Sequence, residues 1–310
     1  MCYKLLKIAR KSAPTGYSTC RNTFQPCVGL MPLPIPPHLL PDTRLHIYQI
    51  QGMLSLHQNY PDGFLGNWEE DGFSFLFFLG PVDHFIEELL EGDGGLAFVD
   101  QYAMTYGQWQ DGSQAPVKAG SLTLLPSWVK EPDAADKGGI RLDAGIVFGD
   151  GLHPTSLTCI EAIERICAQT RISSMLDLGT GSGVLALAAV KLGCKRVVAV
   201  DNNYLAARTA RQNAALNGFE NQVLVVTGLA EECTSLPADL LVANIHHDIM
   251  SKIVRAEGFL QKKRFILSGL QHREADEIIS ILSGKPVVLL ERIETGALWQ
   301  TIIGAVASPR

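Results

Sequence analysis

The 310-residue sequence contains no CxxC pair, and its seven cysteines (Cys2, Cys20, Cys27, Cys159, Cys167, Cys194 and Cys233) are odd in number and scattered. Such spacing argues against a disulfide framework and against a zinc site, so no metal is expected. A reducing compartment, the cytoplasm, fits this usage. No apolar run reaches the roughly 20 residues that a membrane-spanning helix needs, and no membrane partner is expected. Positive charge is also short: the net charge is -6, which gives no general attraction to nucleic acid. An acidic surface suits a basic protein partner instead. Acids are missing altogether before Asp42, in a stretch that carries Lys4, Lys7, Arg10, Lys11, Arg21 and the proline cluster MPLPIPPHLLP at residues 31–41. No secretory apolar core follows those basic residues. Residues 1–41 are expected to be a disordered arm or an over-called start, with Met31 or Met53 as the true one.

What remains has the composition of a globular protein, 46% hydrophobic and 19% charged, and its length implies two domains or one elaborated domain. From Arg44, RLHIYQIQG alternates as a strand, and NWEEDGFSFLFFLG adds a second after an acidic turn. PVDHFIEELLEG reads as a short helix with Pro81 at its start and Phe85, Leu89 and Leu90 on one side. Residues 42–130 are therefore expected to form a small α+β domain with a connector. PVKAGSLTLLPSWVKEP reads as a second short-strand region within that connector, and the boundary is placed after it, at 131–139. Residues 140–310 alternate strand candidates (SSMLDL, RVVAVD, QVLVVT, DLLVAN, RFILSG) with helix candidates (TSLTCIEAIERICA, GVLALAAVKLG, YLAARTARQNAALNG, HHDIMSKIVRAEG). That alternation predicts a parallel sheet with crossover helices. The last two strand candidates, PVVLLERIE and ALWQTIIGAV, are too close in sequence for a crossover and should pair antiparallel. The expected fold class is thus α/β, a Rossmann-like sheet with an antiparallel C-terminal hairpin, preceded by a small α+β domain.

The segment MLDLGTGSGVLALAAVKLGCKRVVAVD, residues 175–201, places Gly179, Gly181 and Gly183 between a strand and a helix. Glycines there let a ligand approach the backbone, and the helix start offers unpaired N–H groups. A purely structural turn is the bland alternative. A triphosphate-binding loop is excluded because Lys191 lies far down the helix. The dinucleotide fingerprint begins correctly, but Val184 stands at its third glycine position. Gly183 instead gives GTGSG, a turn suited to a ligand without a pyrophosphate, such as the amino-acid end of S-adenosylmethionine. Asp201, about twenty residues on, can accept from both ribose hydroxyls of an adenosine, or it can simply cap the helix near Tyr204. Asn244 closes DLLVAN at the carboxyl end of a strand, where ligands bind in such sheets.

In order, FGDGLHPTS, LDLGTGSG, VANI and LSG, with PSW at residues 126–128 and RLDAG before them, resemble the PrmA family, which methylates the eleventh protein of the large ribosomal subunit. The resemblance runs from about Leu122 to the end. It implies a class I methyltransferase that moves methyl groups from S-adenosylmethionine to lysine side chains and the α-amino group of a protein, most plainly a ribosomal large-subunit protein. A small domain in front would recognise the substrate. The family's cofactor contacts fall on Thr155 or Ser156, on Gly179, on Asp201 and on Asn244, with Gly181 and Gly183 in the same turn. Asp150 and Leu152 stand where the family usually has threonines. Asp150 either favours a cationic ligand or is a solvated loop residue.

Asn244 is expected to align the lone pair of the acceptor amine. His246 and His247 follow it, and His246 is a candidate proton relay against the simpler reading that both begin the next helix. His153 is expected to order its loop. Three other functions stay open: a methyltransferase acting on another protein or a small-molecule amine, an NAD-dependent oxidoreductase, and a non-catalytic ribosome-binding module.

Overall fold

The computed structural model describes residues 39–54, 60–70, 72–110, 115–129, 139–147 and 153–307. The expected arm at 1–41 therefore falls almost wholly outside the described residues. Contacts divide the chain into two units, Met1–Ser113 and Gln114–Arg310.

The first unit is a four-stranded antiparallel sheet ordered β2-β3-β1-β4, made from β1 (Arg44–Gln51), β2 (Phe64–Glu70), β3 (Phe73–Phe78) and β4 (Ala97–Thr105). Helix α1 (Asp83–Gly92) packs Ile86 and Leu89 on Tyr48, Ile50, Leu76 and Phe78. The Tyr48 hydroxyl accepts from Val82 N (2.8 Å) and donates to Asp83 Oδ1 (2.9 Å), which fixes the helix start against β1. Pro81 therefore precedes the helix rather than opening it. The acidic turn is a hairpin whose first arm, β2, was not anticipated. A short helix α2 (Tyr106–Trp109) follows β4, held by a capping box between Thr105 and Gln108.

The second unit begins earlier than 131–139. Strands β5 (Val117–Ala119) and β6 (Leu122–Pro126) form a hairpin, and β6 pairs in parallel with β7 (Gly139–Leu142). That pairing sets PSW beside RLDAG, with Ser127 N donating to Leu142 O at 3.0 Å. The hairpin is thereby built into the larger unit, which moves the division to Ser113/Gln114. Residues 148–152, with Asp150 and Leu152, lie outside the described residues.

The main sheet has seven strands in the order β10-β9-β8-β11-β12-β14-β13. They are β8 (Ser174–Leu178), β9 (Arg196–Asp201), β10 (Val223–Thr227), β11 (Leu240–Asn244), β12 (Arg264–Gln271), β13 (Val287–Thr295) and β14 (Trp299–Val306). The first five are parallel, and β14 runs antiparallel to both β12 and β13, as the short connection required. One face buries α3 (Pro154–Gln169), α4 (Val184–Lys191) and α5 (Tyr204–Leu216); the other buries α6 (His247–Arg255) and α7 (His272–Ser283). Every residue from Val184 to Val190 is buried, so α4 can be apolar all round. Helix α7 was not anticipated from the sequence.

Two asparagines one turn apart, Asn213 on α5 and Asn217 at its C-cap, clamp the approach to the sheet. Asn217 Nδ2 donates to Arg141 O (2.7 Å) and its Oδ1 accepts from Arg141 N (2.9 Å). Asn213, fully buried, donates to Asp143 O (2.8 Å) and Ser182 O (2.9 Å) and accepts from Asp143 N (2.9 Å). Ser182 lies inside the glycine turn, so the same side chain fixes both RLDAG and the turn. Among the described residues, no helix is long and apolar enough to cross a membrane.

Candidate active site

Strand β8 sits between β9 and β11, where the crossovers change direction, and a crevice opens there at the carboxyl ends of parallel strands. The glycine turn fills it. Gly179 N and Thr180 N both donate to Val200 O (2.8 and 2.9 Å), which ties the turn to β9. At Gly179 the φ of 76° is left-handed, and a Cβ there would collide with the side chain of Ile245, next to Asn244. Glycine is thus demanded twice, by conformation and by close approach. Gly183 is the N-cap of α4 with φ 85°, and Val184 is the first helical residue. The departure from the dinucleotide fingerprint therefore falls at the helix start.

Asp201 is tied into this turn. Its Oδ2 accepts from Gly181 N (2.9 Å) and its Oδ1 from Asn203 N (3.0 Å). The helix cap is Asn203, whose Oδ1 accepts from Leu205 N (2.8 Å) and Ala206 N (3.3 Å). The capping alternative for Asp201 is corrected: two positions on, a shorter reach lets Asn203 meet the free amides. Burial pushes the Asp201 carboxyl up, and the amides of Asn203 and Gly181 pull it back.

Beneath the turn lies Asp177, fully buried, accepting from the Thr180 hydroxyl at 2.6 Å. Burial pushes its carboxyl up to about 7. The Thr180 bond opposes that shift, the charge of Asp201 adds to it, and the Ala186 amide opposes it. Sequence reasoning passed over this acid, although an aspartate inside an otherwise apolar strand is itself a signal.

A second set of polar groups closes the crevice. Asn244 Nδ2 donates to Thr155 Oγ1 (3.1 Å), and Thr155 Oγ1 lies 2.7 Å from His153 Nδ1. Thr155 N also donates to Nδ1 at 3.4 Å, so Nδ1 is the cap acceptor of the helix start. The chain of bonds turns the Asn244 carboxamide so that its nitrogen faces α3. Its oxygen lies over Gly269, where a Cβ would come within 2.9 Å of it. Thr155 rather than Ser156 is the hydroxyl bonded to Asn244; Ser156 is buried in the same turn, its amide donating to His153 O at 2.9 Å. His153 is the N-cap of α3, and its ring meets Trp299 edge-on with centroids 5.1 Å apart. Trp299 carried no signal in the sequence, because only the β14 fold-back brings it there.

His246 is exposed at the N-cap position of α6 and makes no side-chain cap bond. His247 is directed to α7, with Nε2 3.1 Å from Glu277 Oε2. The structure thus joins Gly179, Gly181, Gly183 and Asp201 in one hydrogen-bonded turn. Thr155 and Asn244 form a second group, and Ile245 touches both.

Residues 105–306 match the family described as ribosomal protein L11 methyltransferase (PrmA). The ribosomal protein L11 methyltransferase of Caldicellulosiruptor saccharolyticus is 37% identical over 188 residues, 59% of each chain. That of Caldicellulosiruptor bescii is 30% identical over 235 residues, 72% of this chain and 75% of the relative. A crystal structure of the ribosomal protein L11 methylase of Lactobacillus delbrueckii subsp. bulgaricus superposes with a TM-score of 0.55 at 28% identity, covering 62% of this chain and 99% of that one. The chain spans about three fifths of the length of the first curated relatives it matches. The ordered motifs, the strand order and these matches agree, and the chain belongs to the PrmA family.

Proposed function

We propose that this protein transfers methyl groups from S-adenosylmethionine to amines of a protein, with the eleventh protein of the large ribosomal subunit as the acceptor, in the cytoplasm. The observation that carries this reading is the pairing of two groups at one crevice: a glycine turn that holds Asp201, and an asparagine carboxamide oriented by Thr155.

The residues present fit the cofactor. Gly179 holds its left-handed turn with no side chain to block a ligand's approach to the backbone, and each Asp201 oxygen keeps lone-pair capacity for a ribose hydroxyl beyond its one amide bond. Thr155 and Asn244 supply polar groups where the amino-acid portion and the methyl group would lie. When bound, S-adenosylmethionine supplies a methyl group on a sulfonium, whose departure as a neutral thioether activates the transfer. The protein's own work is to position and to desolvate. A free lysine amine, with a pKa of about 10.4, is neutral only about once in a few thousand at pH 7. Exclusion of water lowers that pKa. The Asn244 oxygen then accepts a hydrogen bond from the neutral amine and points its lone pair at the methyl carbon. His246, exposed one step from Ile245, is the candidate to pass the released proton to water. The first unit is assigned to substrate recognition.

The test is intact-mass spectrometry of purified ribosomal proteins incubated with labelled S-adenosylmethionine and this protein. Mass gains in multiples of one methyl group, on the eleventh large-subunit protein, are expected. If no ribosomal protein gains mass, the substrate assignment fails. Calorimetric titration with S-adenosylhomocysteine and with NAD separates the cofactors, and binding of NAD alone would overturn the reading.

A further inference from the structure

The acidity of the chain is concentrated in its first unit. Between Arg44 and Lys118 the sequence has eleven acids and no lysine or arginine, whereas from Gln114 to Arg310 acids and bases number twenty each. Within that first unit lies an open sheet edge. Strand β4 pairs with β1 on one side, and among the described residues no strand pairs with its other side. Residues 97–101 of β4 are exposed in succession, so side chains on both faces of the strand meet solvent. Asp100 is the one charged residue in that run, and Phe98 and Val99 add apolar surface to it. An edge with unpaired N–H and C=O groups and few charges of its own is a template for another strand.

Acids flank this edge. Asp93 lies in the turn that leads into β4, where its Oδ1 accepts from Gly95 N at 2.9 Å. Glu87, Glu88 and Glu91 are exposed on α1 just before that turn. The basic side chain that α1 sets among them is His84, with Nε2 3.3 Å from Glu88 Oε1.

We propose that the β4 edge docks an extended, lysine-rich segment of the protein acceptor, which joins the four-stranded sheet as a fifth strand, a role that rests on a protein being the methyl acceptor. Main-chain hydrogen bonds to β4 hold the segment, and its alternate side chains meet Phe98 on one face and Asp100 on the other. Charge decides which segments dock: the field of the flanking acids draws in a basic chain and repels an acidic one. The same field disfavours a second copy of this chain, since two β4 edges laid together would bring both sets of acids into one place.

The experiment uses the full chain, without cofactor, and three synthetic octapeptides. One alternates lysine and valine, one is the same peptide with every backbone amide N-methylated, and one alternates glutamate and valine. Binding is read by calorimetry at low and at moderate salt, and the contact by hydrogen exchange with mass spectrometry. The lysine peptide should bind, more weakly as salt rises, and should slow exchange in residues 97–103. The N-methylated and glutamate peptides should bind at least about tenfold more weakly. Glu91→Lys combined with Asp100→Lys should weaken the lysine peptide about tenfold and flatten its salt dependence. Asp62→Lys, in the turn before β2 at the opposite edge, should change affinity less than about twofold. No binding of the lysine peptide, equal binding of its N-methylated form, protection of β2 in place of β4, or full affinity in the double variant would each overturn the proposal. A dimer in sedimentation with β4 already protected in the absence of peptide would give the edge to a second copy and overturn it too. Peptide docking at β4 with no ribosomal protein methylated would sink the proposed function alone. Methylation by the double variant with an unchanged KM for the acceptor would sink the docking site alone.

Discussion

The two units treat buried polar atoms differently. In the larger unit, Asn213 and Asp201 spend their polar atoms on backbone groups in or beside the glycine turn, and Asn217 on those of Arg141. Buried Lys262 does the same, donating to Thr234 O and Leu236 O at 2.7 Å. In the smaller unit, His46 Nδ1, Gln49 Nε2, Tyr60 OH and Asn67 Oδ1 are buried without a hydrogen bond. Each such atom costs roughly 1–3 kcal/mol of stability. The larger unit, which the family match covers from its start to residue 306, has one such atom beneath the glycine turn, Asp177 Oδ1. The smaller one keeps unmet polar groups and an edge strand with Phe98 and Val99 exposed at 49% and 38%. The difference is one of placement: the side chains around the glycine turn are held by backbone groups, while in the sheet assigned to recognition the unbonded atoms are spread over β1, β2 and the segment before β2.

Four variants can break or sharpen that contrast. The largest effect is expected for Asn244→Ala, which removes the aligning oxygen. Single-turnover methyl transfer should slow on the order of 100-fold to 1000-fold, with S-adenosylhomocysteine affinity changed only a few-fold by calorimetry. Next is Asp201→Ala, which strands the Gly181 and Asn203 amides and deletes the ribose acceptor. Cofactor affinity should fall on the order of 100-fold, about 2.7 kcal/mol. Equal loss of binding in both variants would refute the separate roles.

Third is Asp177→Asn. The folded pKa of about 7 lies above the unfolded 3.8, so the folded state holds this proton more tightly. Its stabilising contribution is complete below pH 3.8 and is lost as pH rises towards 7. Asparagine is neutral throughout and still accepts from Thr180. The stability difference in favour of Asp177→Asn should therefore grow between pH 4 and pH 8. Linkage sets an upper bound of about 4 kcal/mol, and relaxation around the site brings the expectation to roughly 2 kcal/mol. Denaturant titrations at both pH values measure it, and a difference that shrinks with rising pH contradicts the assignment.

The smallest effect belongs to the other unit. Phe98→Ser with Val99→Ser should raise KM for the protein acceptor about tenfold, roughly 1.4 kcal/mol, with cofactor affinity unchanged. If cofactor affinity falls instead, the division between the units is wrong.

The sequence exposed the parts of the fold that depend on local rules. Apolar runs bounded by turns marked β8 to β12, and the three glycines marked the ligand turn, because backbone conformation at Gly179 and Gly183 is written in residue type. Strand β4 was hidden by Asp100 and Gln101 and by a bulge that leaves Val99 out of register with β1. Helix α7 was hidden because its buried stripe, Ala275, Ile278 and Leu282, is narrow within a charged segment. Contacts made only by folding left no trace either: Trp299 meets His153, and Asn213 meets Ser182, across distances that no periodicity spans. Even Asp201 was only half legible, since its place was evident but the cap belonged to Asn203.

The two amide bonds to Asp201 carry a consequence for affinity. A carboxylate on a free side chain loses rotamer freedom when a ligand fixes it, at about 0.5–1.5 kcal/mol for each side chain immobilised. Asp201 has already lost that freedom to Gly181 and Asn203. In its proposed role, Asp201 would meet an incoming adenosine with its ordering cost already met during folding, and the energy of the ribose contacts would go into affinity.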